Sequence, residues 1–195
     1  FKYLPPSGFL ALCDDNLPAP AIADPSKYFK SVIWSGDGLK GRHINVGFKP
    51  DLVWIKERSS TSTHALFDSV RGAGRRLVTS TTAAEDSGNE TVYNPSFNND
   101  GFTVGNDGAV NQSGQTYVAW CWKAGGTAVG NKDGSVESLV SANPEAGFSI
   151  VKFTGQTSGD ITVGHGLGKK PAFWIYKPIN NTTGWYCYHR SLGAS

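Results

Sequence analysis

Residues 51–58, DLVWIKER, set Leu52, Trp54 and Lys56 on one side of an extended chain and Val53, Ile55 and Glu57 on the other. Apolar residues on both sides predict a strand covered on both faces near its start. KYFKSVIWS (27–35) predicts an earlier strand, stopped by the turn Gly36-Asp37-Gly38. Residues 64–70 predict a third, ending at Arg71-Gly72-Ala73-Gly74. TYVAWCWK (116–123) is the most aromatic stretch; the turn Gln112-Ser113-Gly114-Gln115 feeds it and Gly125-Gly126 closes the unit. Asn99-Asp100-Gly101 and Asn106-Asp107-Gly108 predict hairpin-type turns, since Asn, Asp and Gly tolerate the positive φ of such turns. Asp24 before Pro25 predicts the cap and first position of a single helical turn. Thr82 with Glu85 predicts a capping box over another very short one.

A long internal repeat organises these elements. Asp24-Pro25, Phe29, Val32 and Gly36 match Asn143-Pro144, Phe148, Val151 and Gly155 at a constant spacing of 119 residues. Gly47, Lys49-Pro50 and Lys56 match Gly168, Lys170-Pro171 and Lys177 at a spacing of 121. ALFDSVRG and YCYHRSLG continue at the second spacing. A period of this size is a whole domain, because solenoid units run to roughly 20–50 residues. The predicted organisation is 1–23 as the tail of an upstream domain and linker, 24–126 as a β-sandwich domain, 127–146 as a linker or extra strand, and 147–195 as a truncated second copy. The absence of Met and the mid-pattern ends read as a fragment of a longer polypeptide.

Composition points the same way. Apolar residues make up 38% and charged residues 17%, with 24 Gly, 10 Pro and 6 Trp. Many aromatics and turn formers with few long helix formers predict an all-β, antiparallel sandwich. A net charge of +2 offers no basic face for nucleic acid; Arg71, Arg75 and Arg76 form the one tight cluster. No run approaches the roughly 18 apolar residues of a membrane span. Cys13, Cys121 and Cys187 lack CxxC or Cys/His spacing, so neither a disulfide framework nor a zinc site is expected, and they read as small core side chains.

The runs PDLVWIKERSS, HALFDSVRG, SFNNDGFTVG, TYVAWCWKAGG and GFSIVKFTG…VGHGLGKKPAFWIYK resemble a repeated domain of marine and cyanobacterial phage tail or fibre proteins. The opening FKYLPPSGFLALCDDNLP resembles the end of the SPRY-type module that often precedes it. The resemblance implies lectin-like (concanavalin or jelly-roll) sandwich modules in a virion structural protein, located on the virion or extracellularly. It also implies other virion subunits as partners, a homotrimer, and host-surface polysaccharide as a ligand. It carries over no catalytic or ligand-binding residues.

Candidate chemistry is sparse. His64, Asp68 and Arg71 suggest a charge relay, but His64 and Asp68 lie about 13 Å apart along a straight strand, far beyond hydrogen-bond reach. The stretch Gly164-His165-Gly166-Leu167-Gly168-Lys169-Lys170 fails the phosphate-loop pattern: Val163 stands where the first Gly belongs and Lys170 where the hydroxyl belongs. Asp14-Asp15-Asn16 and Asn98-Asn99-Asp100 lack the alternating spacing of a calcium loop. No catalytic residue, cofactor or metal is therefore expected. The tryptophans are the best lead, because sugars stack their C–H faces on indole, and Trp120 and Trp122 share one face about 7 Å apart. The ligand-contact candidates are Trp120, Trp122, His64, Asp68 and Arg71. The rival reading, a glycan-cleaving depolymerase, needs two carboxylates about 5–10 Å apart, drawn from Asp51, Glu57, Asp68 and Glu90. A third, a host-like lectin, needs an intact Ca²⁺ or sugar site.

Overall fold

The computed structural model describes residues 6–8, 21–87, 93 and 96–193. Among the described residues the regular structure is almost entirely antiparallel β. After a single 3₁₀ turn at Pro25–Lys27, the first unit contains β1 (Phe29–Ser35), β2 (Arg42–Asn45), β3 (Leu52–Glu57), β4 (Ala65–Asp68), β5 (Gly72–Leu77), β6 (Asp86–Ser87), β7 (Ser96–Asn98), β8 (Gly101–Val104) and β9 (Thr116–Trp122). Beyond it lie β10 (Val129–Asn131), β11 (Ser138–Asn143), β12 (Phe148–Phe153), β13 (Phe173–Tyr176) and β14 (Tyr186–His189).

Two sheets of the first unit form a sandwich. One runs β1-β9-β3-β4-β5-β6 and the other β2-β8-β7. The period-two alternation of β3 and β9 turns Val53, Ile55, Tyr117, Ala119 and Cys121 toward the second sheet, where all five are fully buried. Ile44, Phe102 and Val104 of the facing sheet complete the core with Trp34, Phe67 and Val110. Trp34 stacks on Tyr117 at 5.3 Å and meets Phe102 edge-on at 6.0 Å. Each buried Val, Ile or Phe contributes about 1.5–3 kcal/mol of transfer free energy, so this seam dominates stability. The expected all-β sandwich is the fold observed.

Some local expectations give way. Residues 82–85 are not helical; the Glu85 amide donates to the Ile179 carbonyl and its carboxylate is taken by two arginines. Tertiary partners outcompete the local capping box. Gly72 does not end a strand run but begins β5, after Asp68 accepts the Val70 and Arg71 amides and tightens the turn. His64 lies just before β4 rather than within it. Asn99 and Asp100 do join β7 to β8, yet neither has positive φ. Gly101 is required instead by close approach, since a Cβ there would stand 2.0 Å from the Ile44 carbonyl oxygen. Asn106-Asp107-Gly108 makes no hairpin. Asp107 accepts the Ala109 amide through its side chain and the Val110 and Asn111 amides through its carbonyl, so the chain turns from one sheet to the other.

Past the sandwich, β10-β11-β12 form their own sheet, so the expected boundary between 127–146 and 147–195 falls inside the β11–β12 hairpin. Gly125 lets β11 approach: a Cβ there would meet the Ala142 oxygen at 2.2 Å. The hairpin β13–β14 repeats β3–β4 in register, because Leu52↔Asp68 and Ile55↔Ala65 correspond to Phe173↔His189 and Tyr176↔Tyr186. Its bonds repeat as well. Ser69 N–H to Asp51 O is matched by Arg190 N–H to Ala172 O, both 2.8 Å. The Lys56 ammonium donates to the Glu57 and Ser60 carbonyls, and the Lys177 ammonium to those of Pro178 and Asn181.

Candidate functional site

The outward face of the six-stranded sheet is aromatic. Its register sets Phe29 beside Trp122 and Trp122 beside Leu52, with Ser31, Trp120 and Trp54 in the next row. Alternation along β9 sends Tyr117, Ala119 and Cys121 inward, so Trp120 and Trp122 face out and stay half-buried. Trp120 meets Trp54 edge-on at 5.9 Å, and Trp54 lies 5.8 Å from the His64 ring.

At one end of this face is a cleft of about 240 Å³, lined chiefly by Pro25, Tyr28, Phe29, Trp122, Gly147 and Phe148. Phe29 lies 4.9 Å from Trp122 at a tilt of 52°, and Phe148 lies 6.1 Å from Trp122, nearly parallel at 24°. Two equivalent parts of the internal repeat meet here. Asp24 accepts the Ser26 amide ahead of β1, and Asn143 accepts the Ala146 amide ahead of β12. Each turn delivers one phenylalanine to Trp122. Tyr28 borders the cleft, and hydrogen bonding toward the nearby Glu145 carboxylate, with burial second, raises its phenol above the ordinary value. An aromatic floor beside a phenol–carboxylate pair can stack one face of a ring and hydrogen-bond its edge.

The five sequence candidates divide. Trp122 lines the cleft. Trp120 and His64 lie farther along the same face around Trp54, and burial, then the Lys56 charge, lowers the His64 pKa. Its Nδ1 and the Trp54 Nε1 are buried without a hydrogen-bond partner. Asp68 lies on this same face, in the cross-strand row Phe29–Trp122–Leu52–Asp68, but it and Arg71 are locked in a buried ion network. Arg71 pairs with Asp68 through Nε and with Glu85 through Nη1 at 2.9 Å, while Arg75 takes the other Glu85 oxygen at 3.0 Å. Arg76 pairs with Asp86 at 3.3 Å and lies over the Tyr93 ring. The arginine cluster is thus neutralised by its own chain, and His64 does not join Asp68 in a relay.

The acids proposed for hydrolysis are likewise committed. Asp51 accepts from Ser69 Oγ and from the Ala124 and Gly126 amides. Burial works against the Glu57 charge, but the hydroxyls of Ser62, Ser60 and Ser59 and the Lys56 ammonium more than offset it, and its carboxyl titrates below the ordinary value. Glu90, Cys13 and Asp14-Asp15-Asn16 lie outside the described residues. Burial pushes the Cys121 thiol up to about 12, as befits a core side chain, whereas Cys187 is exposed. Asp100 bonds Asn45 and His43, and no group of three metal-ligating side chains occurs among the described residues. Among them, no helix is long and apolar enough to cross a membrane.

Sequence reasoning missed Tyr28, Phe29, Glu145 and Phe148 as site residues. The signal was present in the repeat, whose two copies align Phe29 with Phe148, but nothing local shows that both copies converge on one tryptophan.

A family described as a domain of unknown function (DUF7483) matches residues 24–195. No curated protein and no solved structure matches the sequence.

Proposed function

The chain belongs to this family of domains of unknown function, and from the chemistry of its own surface we propose a non-enzymatic structural module of a phage tail or fibre that holds a host-surface glycan in the Phe29–Trp122–Phe148 cleft. The observation that carries the reading is the cleft itself: two phenyl rings, one from each repeat unit, set against one indole, with the Tyr28 phenol and the Glu145 carboxylate alongside. Its volume is below the roughly 300–1,000 Å³ of pockets that enclose drug-sized ligands, which suits shallow contact with a sugar unit of a longer chain. The phage context rests on the sequence resemblance. In that setting the module works on the virion exterior, as spacer and adhesin, assembled as a homotrimer with other virion subunits. The internal bonding of Asp51, Glu57 and Asp68 favours binding over cleavage, because a hydrolase needs a free acid and a free carboxylate facing one another.

The test is a titration of bacterial surface oligosaccharides, selected on a glycan array, followed by indole fluorescence. Binding is expected to weaken at least about tenfold in Trp122→Ala, since stacking and burial of a ring carry roughly 1–3 kcal/mol. Trp120→Ala, away from the cleft, is expected to bind like the parent. No binding across the array removes the adhesin role and leaves a spacer. Release of reducing ends from any polysaccharide overturns the non-enzymatic reading.

A further inference from the structure

The walls of the Phe29–Trp122–Phe148 cleft select among ligands by what they lack. Tyr28, Phe29, Trp122 and Phe148 bring aromatic rings, and Ile22 and Pro25 bring aliphatic surface. An indole N–H only donates, so among the described lining residues the Tyr28 hydroxyl is the one side-chain oxygen or nitrogen able to accept. None of those residues is Lys, Arg or His. The repeat explains the asymmetry. Tyr28 of the first copy aligns with Gly147 of the second, which adds no side chain to the wall, and Ser26 aligns with Glu145. Each copy thus supplies a phenylalanine, one copy the phenol and the other the carboxylate.

Negative charge gathers beside these rings. The Tyr28 phenol feels Glu145 through hydrogen bonding and, after burial, through its charge, with Asp24 adding a further contribution of the same sign. Lys27 shares the turn, but it acts on Asp24 and does not line the cleft. Each aromatic face adds negative potential from its quadrupole. A cation within about 6 Å of a ring centroid is therefore drawn by rings and carboxylate together, and an anion is repelled by both. A primary ammonium brings three N–H donors to a wall with one acceptor and leaves donors unpaired on entry. A quaternary ammonium has no N–H to satisfy, and its methyl groups are apolar surface that the rings cover. The volume of about 240 Å³ suits such a compact head group.

We propose, resting on the reading of this cleft as a glycan site, that it takes a quaternary ammonium group carried as a substituent on that glycan. The cation sits against Trp122 between Phe29 and Phe148, with the Glu145 carboxylate as its counter-charge. The sugar to which it is attached stays outside the cleft, where water serves its hydroxyls.

The test titrates the full chain with choline chloride, observed through the methyl-proton NMR signal of the probe. Choline is expected to bind at least about tenfold more tightly than 3,3-dimethyl-1-butanol, which has the same shape without the charge. Ethanolamine, a primary ammonium, should also bind more weakly. Glu145→Gln keeps the side-chain size at an exposed position and should weaken choline at least about threefold. Glu137→Gln removes the same charge just before β11, at the end of that strand away from Asn143, and should bind like the parent. Trp122→Ala should weaken binding at least about tenfold. No choline binding, equal affinity for the neutral isostere or for ethanolamine, equal loss in the two glutamate variants, or unchanged binding in Trp122→Ala would each overturn the proposal. Choline should also displace any glycan selected on the array. A glycan that binds and is not displaced overturns the ammonium site and leaves the adhesin reading standing. Choline binding with no glycan ligand does the reverse, and retention on phosphatidylcholine vesicles would then give the group to a lipid surface in place of a glycan.

Discussion

The Asp68–Arg71–Glu85 chain shows how burial changes what a charged side chain is for. In the sequence these residues look like a relay and a basic turn; in the fold each side chain is under a tenth exposed and is engaged by its neighbours. Removing the central cation leaves two buried carboxylates without it, so Arg71→Ala is expected to cost about 3–5 kcal/mol in urea unfolding. Arg71→Lys should recover little, because an ammonium cannot span both acids as the guanidinium fork does. His64 supplies a pH-dependent counterpart. Its folded pKa is depressed by burial, then by Lys56, from an ordinary value of 6.5. Below that value the unfolded chain takes up a proton that the folded chain refuses. Stability therefore falls as pH drops from 6.5 toward the depressed value, and above 6.5 the group contributes nothing. Urea midpoints measured across this window should fall less steeply in His64→Gln than in the parent.

At the scale of elements, alternation proved the reliable guide and turn chemistry the less reliable one. The strands at 27–35, 51–58 and 116–123 were legible as apolar and aromatic runs bounded by turn residues, and period two then settles which residues go inward once one face is packed. The strand β2, Arg-His-Ile-Asn, has no such signature; it exists because β8 pairs with it along its length. Glycine roles were hidden for the same reason, since close approach depends on a neighbouring strand. Gly101→Ala puts a methyl group 2.0 Å from the Ile44 oxygen and must spread β2 from β8. A loss of about 1–3 kcal/mol is expected, read as a lower urea midpoint at an unchanged slope. The capping box at 82–85 failed through competition, because Ile179, Arg71 and Arg75 claim the groups that a helical turn would have used.

For the molecule as a whole, the distribution of buried side chains predicts a graded stability. The continuous core lies between the two sheets of the first unit, while β13–β14 exposes apolar side chains on both faces. Hydrogen exchange in β1, β3 and β9 is expected to follow global unfolding, and amides of β13–β14 should exchange earlier by local opening. Equal protection in the two regions would show that the second hairpin is as firmly held as the first. The connection between them runs through 81–85, where Thr82 accepts the Thr183 amide and Thr81 accepts the Trp185 indole at 3.0 Å. From the sequence alone follow the all-β character, the alternating strands and the long repeat, because side-chain period and turn residues act within a few positions of one another. Trp122 could be marked as a candidate in the same way. Its joining with Phe29 and Phe148 in one cleft was decided by the tertiary structure, as was the capture of Asp68 and Glu85 by Arg71. Those facts concern which distant segments share space, and free energy of burial settles that only after the sheets have packed.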